Sequence, residues 1–318
     1  MKAFTKLKYG GPEVLQLEEV AKPALKEDHL LVKVKANSAN PADWHILRGT
    51  PFFARFMFGL FKPKFKILGA DFSGIVEEVG DQLGPFKKGD KVFGEILKGG
   101  AFAEYVCAPA KACALMPEGT TYLDMAASPI AGLTALQALV THGQIKPGES
   151  VLINGASGGV GHFAVQIAKV YGAEVTAVCS SKNVDFVKTL GADHVIAYDQ
   201  ENIHQHASKY DLIVDTHGNL FHSDYKRMGK RGIVIGFTTM GHMFSLLLNS
   251  AFSKFPLNQF TAEANTKDLE TLAALIQKGK IKVHIDKSYP YPEIPEAIRY
   301  IEAMRTVGKV VMTWEKNK

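Results

Sequence analysis

The chain has 318 residues, 46% of them hydrophobic, which suits two ordinary domains better than one small core. Its net charge is only +5, from 37 basic and 32 acidic side chains scattered along the sequence, so no basic block suggests a nucleic-acid partner. Three cysteines without paired spacing, Cys107, Cys113 and Cys179, argue against a disulfide scaffold and fit a reducing compartment.

In chain order, Met1 to Gly10 is strand-like and lacks an apolar signal core. No apolar run is long enough to span a bilayer, and the expected location is cytoplasmic. Leu30 to Ala36 alternates apolar and basic residues, as a half-buried strand does. Further strands are expected over Gly74 to Val79, Asp90 to Gly94 and Ala101 to Val106, with glycine-rich turns between them. Such a series predicts a barrel-like β domain. From Leu123 the pattern changes. Met125 to Val140 reads as a helix and Val151 to Asn154 as a strand. Gly161 to Tyr171 is helical, Glu174 to Cys179 a strand, and Val184 to Leu190 helical again. His194 to Ala197, Leu212 to Asp215 and Ile233 to Gly236 are short strands. This alternation predicts a parallel sheet covered by helices on both faces. The tail gives a helix over Asp268 to Gly279, a strand near Val283, a helix over Ile294 to Met304 and a strand over Val310 to Trp314.

The strongest local signal runs from Val151 through Asn154-Gly155-Ala156-Ser157-Gly158-Gly159-Val160-Gly161. A glycine-rich turn between a buried strand and a helix offers backbone N–H groups and the positive helix end to a pyrophosphate. Gly158 permits close approach of the backbone to phosphate, Gly161 permits close packing of helix on strand, and Ala156 replaces the first glycine of the usual fingerprint. The second strand ends in Cys179 without the acid that binds a ribose 2′-hydroxyl. Ser180, Ser181 and Lys182 follow instead, and hydroxyls with a cation suit a 2′-phosphate. NADPH is the expected cofactor, with Lys182 carrying the distinction because Ser180 also fits a helix cap.

These residues resemble the medium-chain dehydrogenase/reductase superfamily, and within it the zinc-independent quinone oxidoreductase branch. The resemblance also rests on Asn37 to Gly49, on Leu68-Gly69-Ala70-Asp71 through Gly80, and on Gly99 to Val106. Ala131 to Ala135 and Gly308-Lys309-Val310-Val311 complete it. The aromatic insertion between Gly49 and Leu68 resembles a subgroup that includes chloroplast-envelope and mitochondrial quinone reductase homologues. The resemblance implies an α/β fold: a barrel-like (GroES-like) β-rich catalytic domain over 1–124 and 262–318, and a Rossmann doubly wound parallel-sheet domain over 125–261. It implies a homodimer. Its cofactor residues fall on Thr134, Ala156, Ser157, Gly158, Gly159, Val160, Gly161, Ser180, Ser181, Lys182, Tyr198, Gly236 and Lys309. Catalytic candidates are Asn40, to orient an acceptor oxygen, Asp43, to position its loop, and His45, as a proton donor or simply a surface histidine.

Asn40 and Ala70 stand where the zinc-dependent relatives carry ligands, and the four-cysteine lobe is missing, so no metal is expected. His194, His204 and His206 read as solvated, without carboxylate partners. Without a Lewis acid, hydride transfer needs an acceptor that is already electrophilic. The expected substrate is a quinone, with an enone or alkenal as the alternative and a non-catalytic NADPH-binding protein as the third reading. The aromatic stretch Phe52 to Phe61 is expected to line a cleft or pack in a core rather than touch a membrane. Met240 to Phe255 is expected to form a pocket wall or a dimer contact.

Overall fold

The computed structural model describes residues 1–81, 84–237 and 239–314. The chain opens with β1 (Lys2–Thr5), β2 (Gln16–Glu19), β3 (His29–Ala39), α1 (Pro41–Arg48), α2 (Arg55–Phe58), β4 (Asp71–Val79) and β5 (Lys91–Glu95). It continues with β6 (Tyr105–Pro109), β7 (Cys113–Leu115), α3 (Tyr122–Ala127) and α4 (Pro129–Leu136). Then come β8 (Ser150–Asn154), α5 (Gly161–Val170), β9 (Glu174–Cys179), α6 (Val184–Thr189), β10 (His194–Ala197) and β11 (Tyr210–Asp215). They are followed by α7 (His222–Met228), β12 (Gly229–Val234), α8 (Met240–Ala251) and β13 (Leu257–Gln259). The chain closes with α9 (Thr266–Gln277), β14 (Ile285–Pro290), α10 (Ile294–Glu302) and β15 (Lys309–Thr313).

Packing divides these elements into two compact units. One comprises residues 1–133, 263–279 and 283–318, the other residues 134–262 and 280–282. The first limit lies nine residues beyond the expected 124/125, because α3 packs against β3 and β4 and so stays with the first unit.

The first unit is β-rich. Its main sheet runs β14-β15-β3-β4-β5-β7, with β6 also paired to β3, and β1-β2 form a separate ribbon. The alternation of β3 puts Leu30, Val32 and Val34 into one core with Phe72, Val76, Val92 and Val106. A second core holds Phe4, Leu47, Leu68 and Phe102 against α10, which buries Ile294, Ala297, Ile298 and Ile301. That i, i+3, i+4, i+7 spacing is the apolar stripe of a helix packed on one face.

The second unit is a six-stranded, all-parallel sheet in the order β10-β9-β8-β11-β12-β13. Numbered from β8 this is 3-2-1-4-5-6, the doubly wound arrangement, with its reversal between β8 and β11. Its core joins Leu152, Val178, Ile213, Tyr225, Met228 and Val234.

Several elements differ from expectation for identifiable reasons. The helix expected over 125–140 breaks at Pro129, which has no N–H to donate and starts α4 instead. The strand expected from Ala101 begins at Tyr105, because Gly99 and Gly100 take positive φ and Ala103 makes only an isolated bridge to Ala3. β12, expected from Ile233, begins already at Gly229, since parallel pairing with β11 starts there. The aromatic stretch is not core: Phe52, Phe53, Phe56, Met57 and Phe61 are all exposed. The Met240 to Phe255 stretch is mostly α8, and Phe244, Leu247 and Leu248 are exposed. No helix among the described residues is long and apolar enough to cross a membrane.

Candidate active site

In the second unit, the glycine-rich segment follows β8 and leads into α5. Gly155 takes φ +80, so the left-handed residue of this turn lies one position before Ala156. That explains the alanine: Ala156 is fully buried, and its N–H donates to Val178 O at 2.9 Å. A Cβ on Gly161 would lie 2.1 Å from Gly155 O and 2.7 Å from Ala156 Cα, a clash between backbones. A Cβ on Gly158 would meet only Gly155 O, at 3.4 Å. The turn therefore faces open space at Gly158 beside the start of α5, where the His162 N–H is taken by Gly158 O at 3.0 Å. This cradle fits a phosphate group.

The turn is braced from both sides. Ser157 Oγ accepts from Asn183 Nδ2 at 3.0 Å. Across the sheet reversal, Asn154 Nδ2 donates to Asp215 Oδ1 at 2.7 Å. Asp215, fully buried at the end of β11, also accepts the N–H groups of His217, Gly218 and Leu220 and the hydroxyl of Tyr225. Burial, with that carboxylate beside it, pushes the Tyr225 hydroxyl well up. Sequence reading missed Asp215; its signal was an acid ending an apolar strand just before a glycine turn. The turn carrying Gly236 passes close by, since a Cβ on Gly218 would lie 1.9 Å from Gly236 O.

At the end of β9, Ser180 and Ser181 are half-buried and Lys182 is exposed. Ser181 already has partners: its N–H donates to Asp199 Oδ1 at 2.8 Å and its hydroxyl to Asp199 Oδ2 at 2.6 Å. These bonds, with Lys182 nearby, hold the Asp199 carboxyl below its usual range. Tyr198, beside it, is exposed. Thr134, at the start of the unit, is buried.

In the first unit, four neighbouring strands end in a buried polar row. Register pairs Val310 with Ala39, Ser38 with Asp71, and Asp71 with Glu95. Lys309, one step past Val310, consequently reaches Asn40, one step past Ala39. Lys309 Nζ donates to Asn40 Oδ1 at 2.5 Å and Ala39 O at 3.4 Å, and lies 3.5 Å from Asp71 Oδ2. Asn40 Nδ2 and Ser38 Oγ donate to the same Asp71 oxygen at 2.8 and 2.7 Å, and Ile130 N–H donates to the other at 3.0 Å. Asp43 Oδ2 accepts the Asn40 N–H at 2.8 Å at the start of α1. Sequence reading placed Lys309 with the cofactor residues; its ammonium sits here, among Ala39, Asn40 and Asp71.

The charges in this row are strongly perturbed. Burial raises Asp43 to about 7 despite the hydrogen bond from Asn40. Burial, with Asp71 nearby, raises Glu95 to about 8, and its Oε2 has no hydrogen-bond partner. Burial lowers Lys309, opposed by Asp71 and Asp43. Lys6, also buried, donates to Ile46 O at 2.7 Å and falls to about 8, again from desolvation. Sequence reading missed Glu95 and the role of Asp71.

His45 stands apart from this row. Its ring stacks on Trp44 at 3.6 Å, and Nδ1 lies 3.1 Å from Thr50 O. The carbonyl requires the proton on Nδ1, and burial lowers the imidazole pKa below its ordinary range. His194, His204 and His206 diverge and do have partners, two of them carboxylates. His194 meets Glu174 at 2.9 Å, His204 meets Asp224 at 2.7 Å, and His206 meets the Tyr210 hydroxyl at 2.8 Å.

Two families match the chain: the alcohol dehydrogenase GroES-like domain over residues 26–118 and the zinc-binding dehydrogenase over residues 190–312. The residues do not fit the zinc of that second description. The Asn40 amide oxygen is taken by Lys309 and a neutral amide is not one of the thiolate, imidazole or carboxylate ligands zinc takes, position 70 offers a methyl group, and no group of three His, Cys, Asp or Glu among the described residues is placed to hold a metal. The chain is 34% identical to a chloroplastic quinone-oxidoreductase homolog of Spinacia oleracea, covering 95% of each. It is 33% identical to an NADPH-dependent alkenal/one oxidoreductase of Arabidopsis thaliana, covering 98% of this chain and 79% of that one. A solved quinone oxidoreductase from Coxiella burnetii superposes with a TM-score of 0.88 at 30% identity, covering 99% of each chain. By its sequence and its two-unit fold, the chain belongs to the medium-chain dehydrogenase/reductase superfamily, in the quinone oxidoreductase branch.

Proposed function

We propose that this protein is an NADPH-dependent reductase that delivers hydride, without zinc, to a conjugated acceptor, a quinone first and an α,β-unsaturated carbonyl second. The observation that carries the reading is the Asn40–Lys309–Asp71 arrangement. At one of the positions where the zinc-dependent relatives carry a ligand stands a buried amide bonded to an ammonium and a carboxylate, so the polar chemistry rests on hydrogen bonds and a fixed charge.

Bound NADPH supplies the hydride. The chain binds and orients. The turn from Ala156 to Gly161 and the start of α5 receive the pyrophosphate, and Ser180 and Lys182 face the 2′-phosphate. Asn40, held by Lys309 and Asp71, presents a polar group to the acceptor oxygen. Asp43 fixes the start of α1, and His45 holds the Thr50 turn instead of moving a proton. With no metal to polarise a plain carbonyl, the acceptor must spread the incoming charge through its own conjugation. Relatives named for quinones and for alkenals both satisfy that requirement, which supports the enone reading as the second.

The test is NADPH oxidation with three acceptors of similar size: an ortho-quinone, an alkenal and its saturated aldehyde. Turnover with the quinone or alkenal, and none with the saturated aldehyde, is expected. Robust reduction of the saturated aldehyde, or activity lost to chelators, would contradict the reading.

A further inference from the structure

The end of β9 carries no acid, but the end of β10 supplies one. β9 and β10 run parallel with Cys179 opposite Ala197, and Tyr198 N–H donates to Cys179 O at 3.0 Å. Two residues past each strand pair, Asp199 faces Ser181 and takes both its N–H and its hydroxyl. Ser181 is thereby occupied, and Lys182 has a neighbouring carboxylate.

We propose that Asp199 sets the discrimination between phosphorylated and unphosphorylated dinucleotides, acting as a brake on NADPH preference. This rests on the dinucleotide reading of the glycine-rich turn. A 2′-phosphate arrives with nearly two negative charges and accepts hydrogen bonds only. To use the Ser181 hydroxyl it must take that proton from Asp199, and it then lies close to a like charge. A ribose 2′-hydroxyl meets neither obstacle, because it can itself donate to a carboxylate oxygen. Lys182 and Ser180 pull toward NADPH, and Asp199 offsets part of that pull. The carboxylate is exposed, so salt weakens its share while leaving the competition for the Ser181 hydroxyl.

The experiment measures dissociation constants of NADPH and NADH by fluorescence titration, at low and high salt, for wild type, Asp199→Asn and Asp199→Ala. The thermal transition of each variant checks folding. Both variants are expected to bind NADPH about tenfold more tightly, the worth of one charge-assisted hydrogen bond gained and one repulsion removed. NADH affinity should stay the same or weaken. An unchanged NADPH-to-NADH ratio in both variants, with both nucleotides still bound, would overturn the proposal and leave the dinucleotide reading intact. Failure of the wild type to bind either nucleotide would overturn that reading, and this proposal with it.

Discussion

The glycine-rich turn and the buried polar row are built in opposite ways. The turn is local: Gly155 to Gly161 are seven consecutive residues, and their conformations follow from β8 ending and α5 beginning. The row is assembled from Asn40, Asp71, Glu95 and Lys309, which only the pairing of β15, β3, β4 and β5 brings together. The turn depends on what glycine lacks, a Cβ. The row depends on the Lys309 ammonium beside the Asp71 carboxylate, with Asp43 and Glu95 pushed toward their neutral forms. Substitutions should therefore damage the two regions in different ways.

The largest effect is expected in the row. Lys309→Met removes the ammonium and leaves the Asp71 carboxylate buried beside Asn40, a loss on the order of 3–5 kcal/mol. Thermal unfolding should show it as a marked drop in the transition temperature; a variant as stable as wild type would mean that the Asp71 carboxylate is balanced some other way. In the turn, Gly161→Ala forces a methyl group against Gly155 O and costs about 1–3 kcal/mol. Titration should show NADPH binding weakened by at least about tenfold, since the helix end can no longer keep its place on the turn. Normal NADPH affinity in this variant would separate the turn from nucleotide binding.

The smallest effect is in pH dependence. Glu95 rises from 4.5 to about 8 and Asp43 from 3.8 to about 7, so folding keeps protons on both. The stability they contribute is fully present below about pH 4 and is lost as pH climbs through 7 and 8. Lys6, lowered to about 8, acts in a different window, losing its contribution as pH falls through that value. Melting temperature should fall between pH 5 and 8, and Glu95→Gln should flatten the fall by a few degrees. An identical profile in Glu95→Gln would show that Glu95 is not the group that titrates.

What could be read from sequence follows the same division. β8, α5, β9 and β10 stand within a residue or so of their expected limits, because buried parallel strands and their helices carry continuous local patterns. Gly158 and Gly161 were legible for the same reason. Lys309 was found only as part of a motif and given to the cofactor, because nothing local reveals that β15 pairs with β3. Asp199 was invisible for a related cause. The expected acid belongs at the end of β9, and only register across to β10 places this one against Ser181. The exposed aromatics from Phe52 to Phe61 mark another limit, since apolar content alone does not say which face is covered.

The division of labour between the two regions is tested most directly by Asn40→Ala. Asn40 is proposed to serve the acceptor, while the nucleotide belongs to the turn. Turnover with a quinone, measured alongside NADPH affinity in the same variant, separates the two roles. Loss of one transition-state hydrogen bond predicts turnover reduced about tenfold to hundredfold, with the NADPH dissociation constant within about twofold of wild type. Weakened NADPH binding with undiminished turnover at saturation would contradict the account.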